Sequence, residues 1–157
     1  MRHPNYAGMA QNKENISTLN GLMETLKDGE EGFKQAAESV TDLQLKSLFN
    51  EYSRQRARFT KALQTQVQSL GESRPEMSSS AAGALHRAWI NLKSAVTSGD
   101  DHAILSECER GEDSAVKEYE KALNDDLSPS LREIVSSQYS EVKNAHDRVR
   151  TLRDAIK

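Results

Sequence analysis

Apolar residues recur at helical spacing from Ile16 onward: Ile16, Leu19, Met23, Leu26, then Phe33, Ala37 and Val40. Steps of three and four keep them on one face of a helix, and the rhythm predicts a first helix over residues 13–40. The seam passes through position 30, where an apolar residue is due and Glu30 stands instead, with Gly29 before it and Gly32 just beyond. A carboxylate on an inward face is costly unless it is paired, protonated or bound to a cation.

A second seam follows almost at once. Leu45, Phe49, Tyr52, Phe59, Leu63, Val67 and Leu70 predict a helix over residues 42–70, with Gly71 as its stop signal. Thr41 and Gln44 read as a capping box at its start. This seam also turns polar in its middle, at Gln55 and Arg56. So short a connection makes the first two helices antiparallel neighbours. Residues 71–80, with Pro75 and a run of serines, read as a loop, and Leu85, Trp89, Leu92 and Val96 mark a shorter helix over residues 80–97.

Asp100 and Asp101 suit the positive end of a helix dipole and open a helix over residues 101–124 through Ile104, Cys108, Ala115, Tyr119 and Ala122. Its missing seam position falls on Gly111 and Glu112. Ser128 and Pro129 start the last helix, over residues 129–156, whose seam is Leu131, Val135, Gln138, Val142, Ala145, Val149 and Leu152. Four helices each roughly 40 Å long and a shorter one between them predict an all-α fold: two antiparallel hairpins joined by a long crossover that contains the short helix. A five-helix array is the alternative. Residues 1–12 read as a poorly ordered lead, and residues 13–157 as a single domain.

The two hairpins echo each other. Gly29-Glu30-Glu31 matches Gly111-Glu112-Asp113, each eleven or twelve residues before its helix ends. Gln55 matches Gln138, each in a seam about ten residues past a turn. Counting back from each turn sets Glu30 level with about residue 53, within one turn of Gln55 and Arg56, and Glu112 level with Glu141, one turn from Gln138. All four helices thereby bring polar groups to one central layer under a pseudo-twofold.

Composition narrows the function classes. The formal charge of −3, with basic and acidic residues interspersed, gives no electrostatic footprint for nucleic acid or an anionic membrane. The single cysteine, Cys108, excludes an internal disulfide and fits a reducing compartment. No apolar run approaches the ~20 residues of a membrane span, and the first dozen residues lack the apolar core of a secretory signal. A cytoplasmic protein is expected.

Several stretches carry a resemblance: Leu19-Asn20-Gly21-Leu22, Asp28-Gly29-Glu30-Glu31-Gly32-Phe33, His86-Arg87-Ala88-Trp89 and Glu107-Cys108-Glu109-Arg110-Gly111-Glu112-Asp113. Over about residues 14–156 the chain resembles a family of bacterial four-helix-bundle proteins of unknown function within the ferritin-like superfamily. The resemblance implies a ferritin-like fold. It also implies that Glu30 and Glu112 stand where ferritin-like bundles carry their lone carboxylates. The chain departs from that pattern in its second and last helices, where Glu51 is followed at the motif spacing by Arg54 and Glu141 by Asn144. Neither is a Glu-x-x-His.

Two readings follow. In the first, the chain is a non-enzymatic bundle that works by packing or assembly, with a stress response as its candidate setting. Glu30 then bonds Gln55 and pairs with Arg56, while Glu112 bonds Gln138 and Tyr139, and no cofactor is needed. In the second, Glu30, Glu112 and Glu141, with Gln55 and Gln138 beside them, form a degenerate carboxylate site that holds iron or another hard divalent ion and gives the protein an iron-handling or redox activity. A homo-oligomer fits either reading; nucleic acid and membrane fit neither. Trp89 is expected to anchor the crossover on the bundle, with His86 on the same side. His102 is expected at the surface, His146 as a packed rim residue, and Cys108 as an inert core thiol.

Overall fold

The computed structural model describes residues 6–71, 89, 91–98 and 100–156. Among the described residues there are five helices: α1 (Tyr6–Ser39), α2 (Leu43–Ser69), α3 (Leu92–Ser98), α4 (Asp101–Leu123) and α5 (Pro129–Ala155). The four long ones agree with the predicted spans except at the start, where α1 begins seven residues earlier than the apolar rhythm suggests. Residues 6–12, expected within the poorly ordered lead, are part of this helix. The loop over residues 72–80, most of the helix predicted over residues 80–97, and His86 lie outside the described residues.

The helix ends follow local chemistry. Asp42, not Thr41, caps α2: its Oδ1 accepts from the backbone N–H groups of Gln44 and Leu45 at 2.8 and 3.1 Å. Thr41 is committed elsewhere. Its backbone N–H and hydroxyl, and the N–H of Asp42, all donate to the carboxylate of Asp101. That carboxylate ties the α1–α2 turn to the start of α4. Gly71 follows α2 at φ 102°, a left-handed conformation that favours glycine. Asp100 caps α4 through His102 N–H, whereas Ser128 takes the cap position of α5 without a side-chain hydrogen bond. Arg132 reaches back from α5 to the Leu123 and Asp125 carbonyls, satisfying acceptors that the end of α4 leaves open.

α1 with α2 and α4 with α5 form the two hairpins, α1 also lies along α4, and α3 rests on both α1 and α4. α2 and α5 barely meet. The apolar interior falls into two blocks. One, towards the α1–α2 turn, contains Phe33, Phe49, Tyr52, Trp89, Ile104 and Val149. The other, towards the opposite end, contains Leu22, Leu26, Leu63, Tyr119, Leu131 and Val142. Each leucine sealed in these blocks contributes about 1.5–3 kcal/mol. A polar layer lies between them.

Candidate functional site

Arg56 of α2 and Glu112 of α4 make that layer. Their side chains are 1% and 0% exposed, and they meet side by side: Nη1 donates to Oε1 at 2.5 Å and Nη2 to Oε2 at 2.7 Å. Two parallel charge-assisted hydrogen bonds are the geometry that guanidinium and carboxylate planes favour. The third donor, Nε, goes to Gln55 Oε1 at 3.2 Å, and the guanidinium carbon stands 5.3 Å from the centre of the Phe33 ring. Burial alone would push the Arg56 pKa down. The adjoining carboxylate outweighs burial and carries it upward, so the cation is held firmly charged.

Gly29 makes room for this arginine. A Cβ there would stand 3.4 Å from Arg56 Nη1. The inward position of α1 at this level is thus Gly29, with the guanidinium filling the space a side chain would take, and Glu30 is turned to the rim. Two further helical glycines, Gly32 and Gly111, share a different task. A Cβ on Gly32 or on Gly111 would collide with the indole of Trp89, which is wedged between α1 and α4 and meets Phe33 edge-on at 5.4 Å between ring centres. The local counterpart of Gly111 is therefore Gly32, three residues on from the match the sequence suggests. Trp89 anchors the chain on the bundle as expected.

The five residues singled out for the layer are not gathered into one site. Glu112 is at its centre. Glu30 is half-buried at the α1–α2 edge, where its backbone carbonyl, not its carboxylate, accepts from Ser53 Oγ at 2.8 Å. Glu141 is exposed and accepts a long 3.5 Å bond from Gln55 Nε2. Gln138 is buried one turn away, accepting from the Tyr119 hydroxyl at 2.8 Å and donating to the Phe59 carbonyl at 3.3 Å. Tyr139 donates to Glu120, not Glu112. The expected pairings are exchanged: Arg56 crosses the bundle to Glu112 instead of meeting Glu30, and Gln55 turns to Arg56 and Glu141.

The remaining candidates stand as follows. Cys108 is fully buried, and burial, reinforced by the negative charges of Glu112 and Glu107, holds its thiol well above the ordinary range, so it stays protonated. His102 is half-buried at the start of α4. His146 is packed at the α4–α5 rim. Its Nδ1 lies 3.0 Å from Asp147, and its Nε2 lies 2.7 Å from Asp113 Oδ1, close enough for an ion pair but out of line for a hydrogen bond. Glu24 is a buried carboxylate that the seam pattern does not reveal, because it lies on the side of α1 away from the apolar stripe. It is 1% exposed, neither oxygen has a donor among the described residues, and burial and then Asp28 raise its pKa.

A metal centre, which a ferritin-like plan implies, does not fit these residues. Both oxygens of Glu112 are engaged by Arg56, Glu30 and Glu141 lie at the rim and the surface, and no imidazole among the described residues enters the layer. Among the described residues, no group of three His, Cys, Asp or Glu side chains is placed to hold an ion. No helix among them is long and apolar enough to cross a membrane.

Comparison with known proteins agrees with this architecture. The model of the domain of unknown function DUF2383 matches residues 14–125. Among solved structures, a mutant of Dps1 from Mycobacterium smegmatis superposes with a TM-score of 0.73 at 14% identity, covering 92% of this chain and 97% of that one. Likeness at that identity shows the fold alone, a ferritin-like helical bundle. No curated protein matches the chain.

Proposed function

The chain belongs to the DUF2383 family, and from that premise we propose that it is a non-catalytic ferritin-like bundle whose central layer is closed by its own arginine instead of a metal ion. One observation carries this reading: the cation facing Glu112 in the dry centre of the bundle is the Arg56 guanidinium, bound through both carboxylate oxygens. A carboxylate so engaged already has its charge met and one lone pair on each oxygen in use, which disfavours a divalent ion there. The pair links α2 to α4 across the two hairpins. Such a pair sets register and helix pairing at some cost in stability. The protein then works as a folded unit that packs or assembles, with copies of itself as the simplest partner.

The test is metal analysis of protein purified without chelator, followed by Fe(II) titration in air, for the wild type and the Glu30→Ala/Glu112→Ala variant. This reading expects substoichiometric metal and iron oxidation no faster than in buffer. Stoichiometric metal that the variant loses would overturn it in favour of a carboxylate metal site.

A further inference from the structure

Where α2 and α5 diverge, near the α1–α2 turn, they leave a groove of about 730 Å³. Its apolar lining is Leu45, Leu48, Leu152, Ala155 and Ile156, beside the polar Gln44 and Ser47; Leu48, Leu152 and Ile156 are only partly covered. The volume falls within the ~300–1,000 Å³ of small-molecule pockets, which combine apolar linings with a few placed polar groups. It runs along α2 from Asp42 to Arg54, roughly 18 Å at the helical rise.

Its lining carries two acids, Asp42 and Glu51, and two arginines, Arg54 and Arg148. Asp42 spends its carboxylate on capping α2. Glu51 is shared between two guanidinium groups, Arg54 at 3.3 Å and Arg58 at 3.5 Å. Arg148, on the α5 wall, has no hydrogen bond or ion pair among the described residues. The groove thus offers a partly apolar trough, an acid already shared by two guanidinium groups, and an arginine with no ion pair among the described residues. That combination complements a molecule with an apolar tail and one negative head.

We propose that this groove binds a free fatty carboxylate, with the alkyl chain against Leu48, Leu152 and Ile156 and the carboxylate on the Arg148 guanidinium. Arginine takes a carboxylate through two parallel hydrogen bonds, and the tail removes its own apolar surface and that of the three partly covered side chains from water. The inference does not rest on the function proposed for the central layer, which lies in a separate part of the bundle.

The test is calorimetric titration of the full chain with dodecanoate, dodecanol and dodecyltrimethylammonium, each below its micellar concentration, for the wild type, Arg148→Gln and Leu152→Arg. Dodecanoate is expected to bind the wild type at one site, and the cationic probe at least tenfold more weakly. Arg148→Gln, an exposed change, should weaken dodecanoate about tenfold or more, the worth of a charge-assisted contact, and leave dodecanol unchanged. Leu152→Arg should remove binding of both while circular dichroism shows the helices intact. Dodecanoate binding that Arg148→Gln leaves unchanged, or no saturable binding, overturns the proposal. So does sedimentation showing a dimer that Leu152→Arg dissociates, which would make the groove an interface between copies.

Discussion

Arg56 and Glu112 face each other across the bundle as a bidentate pair that water does not reach. Neither residue is a defect in its helix. Each occupies a seam position, Arg56 between Tyr52 and Leu63, and Glu112 between Cys108 and Ala115. The two apolar blocks of the core end on either side of them. The space they need is supplied by Gly29, and the tryptophan that closes the neighbouring level is seated by Gly32 and Gly111.

That seating predicts opposite signs for three substitutions of one kind. Gly32→Ala and Gly111→Ala drive a methyl into the Trp89 ring, and each should destabilise by about 1–3 kcal/mol. Gly21, with nothing within 4 Å of a Cβ, should gain about 0.5–1 kcal/mol as alanine from helix propensity alone. Urea melts separate the two outcomes. In a Trp89→Ala background the penalty at Gly32 and Gly111 should vanish; if it persists, the glycines serve something other than the indole.

Asp101 should make part of the stability pH-dependent. Burial acts to raise its pKa, but the hydrogen bonds from Thr41 and Asp42 outweigh it and hold the carboxyl below its ordinary value. A depressed folded-state pKa contributes stability that is present above the unfolded value of about 3.9 and is lost as pH falls through the folded one. Asp101→Asn should therefore lower the melting temperature at pH 7, with the difference from wild type closing as the pH approaches 3. A gap that is the same at both pH values would mean that the charge is not what binds the turn.

Glu24 has the opposite sign. Its raised pKa means that the folded state prefers the protonated form, so the contribution is present below the unfolded value of about 4.3 and is lost as pH rises through the folded one. Glu24→Met should gain about 1–3 kcal/mol at pH 7.5 and much less at pH 4. Denaturant unfolding at the two pH values measures this directly. An equal gain at both would assign it to packing.

Much of this fold was legible in the apolar rhythm, because four long amphipathic helices with short hairpin turns admit few arrangements. The central layer was legible as a location, since Glu30, Arg56 and Glu112 each interrupt a seam. Its pairing was not. Seam spacing repeats at both three and four residues, so it cannot separate Gly29 from Glu30 as the inward position, and a one-residue rotation of α1 exchanges which acid meets Arg56. The role of Gly32 and Gly111 was hidden for another reason: the ring that fills them comes from Trp89, more than twenty residues distant from either. The Asp42 cap was masked by Thr41, an equally good capping residue whose bonds go instead to Asp101.

The central claim is that Arg56 is the cation of the layer, and a double-mutant cycle of Arg56→Met and Glu112→Leu, followed by denaturant unfolding with and without chelator, tests it most directly. Each single change strands a buried charge and should cost about 3–5 kcal/mol, whereas the double change should lie near the wild type or up to roughly 4 kcal/mol above it. Chelator should leave the wild type unmoved. Single changes that each cost less than about 1 kcal/mol and simply add, or a wild type that chelator destabilises, would contradict the account.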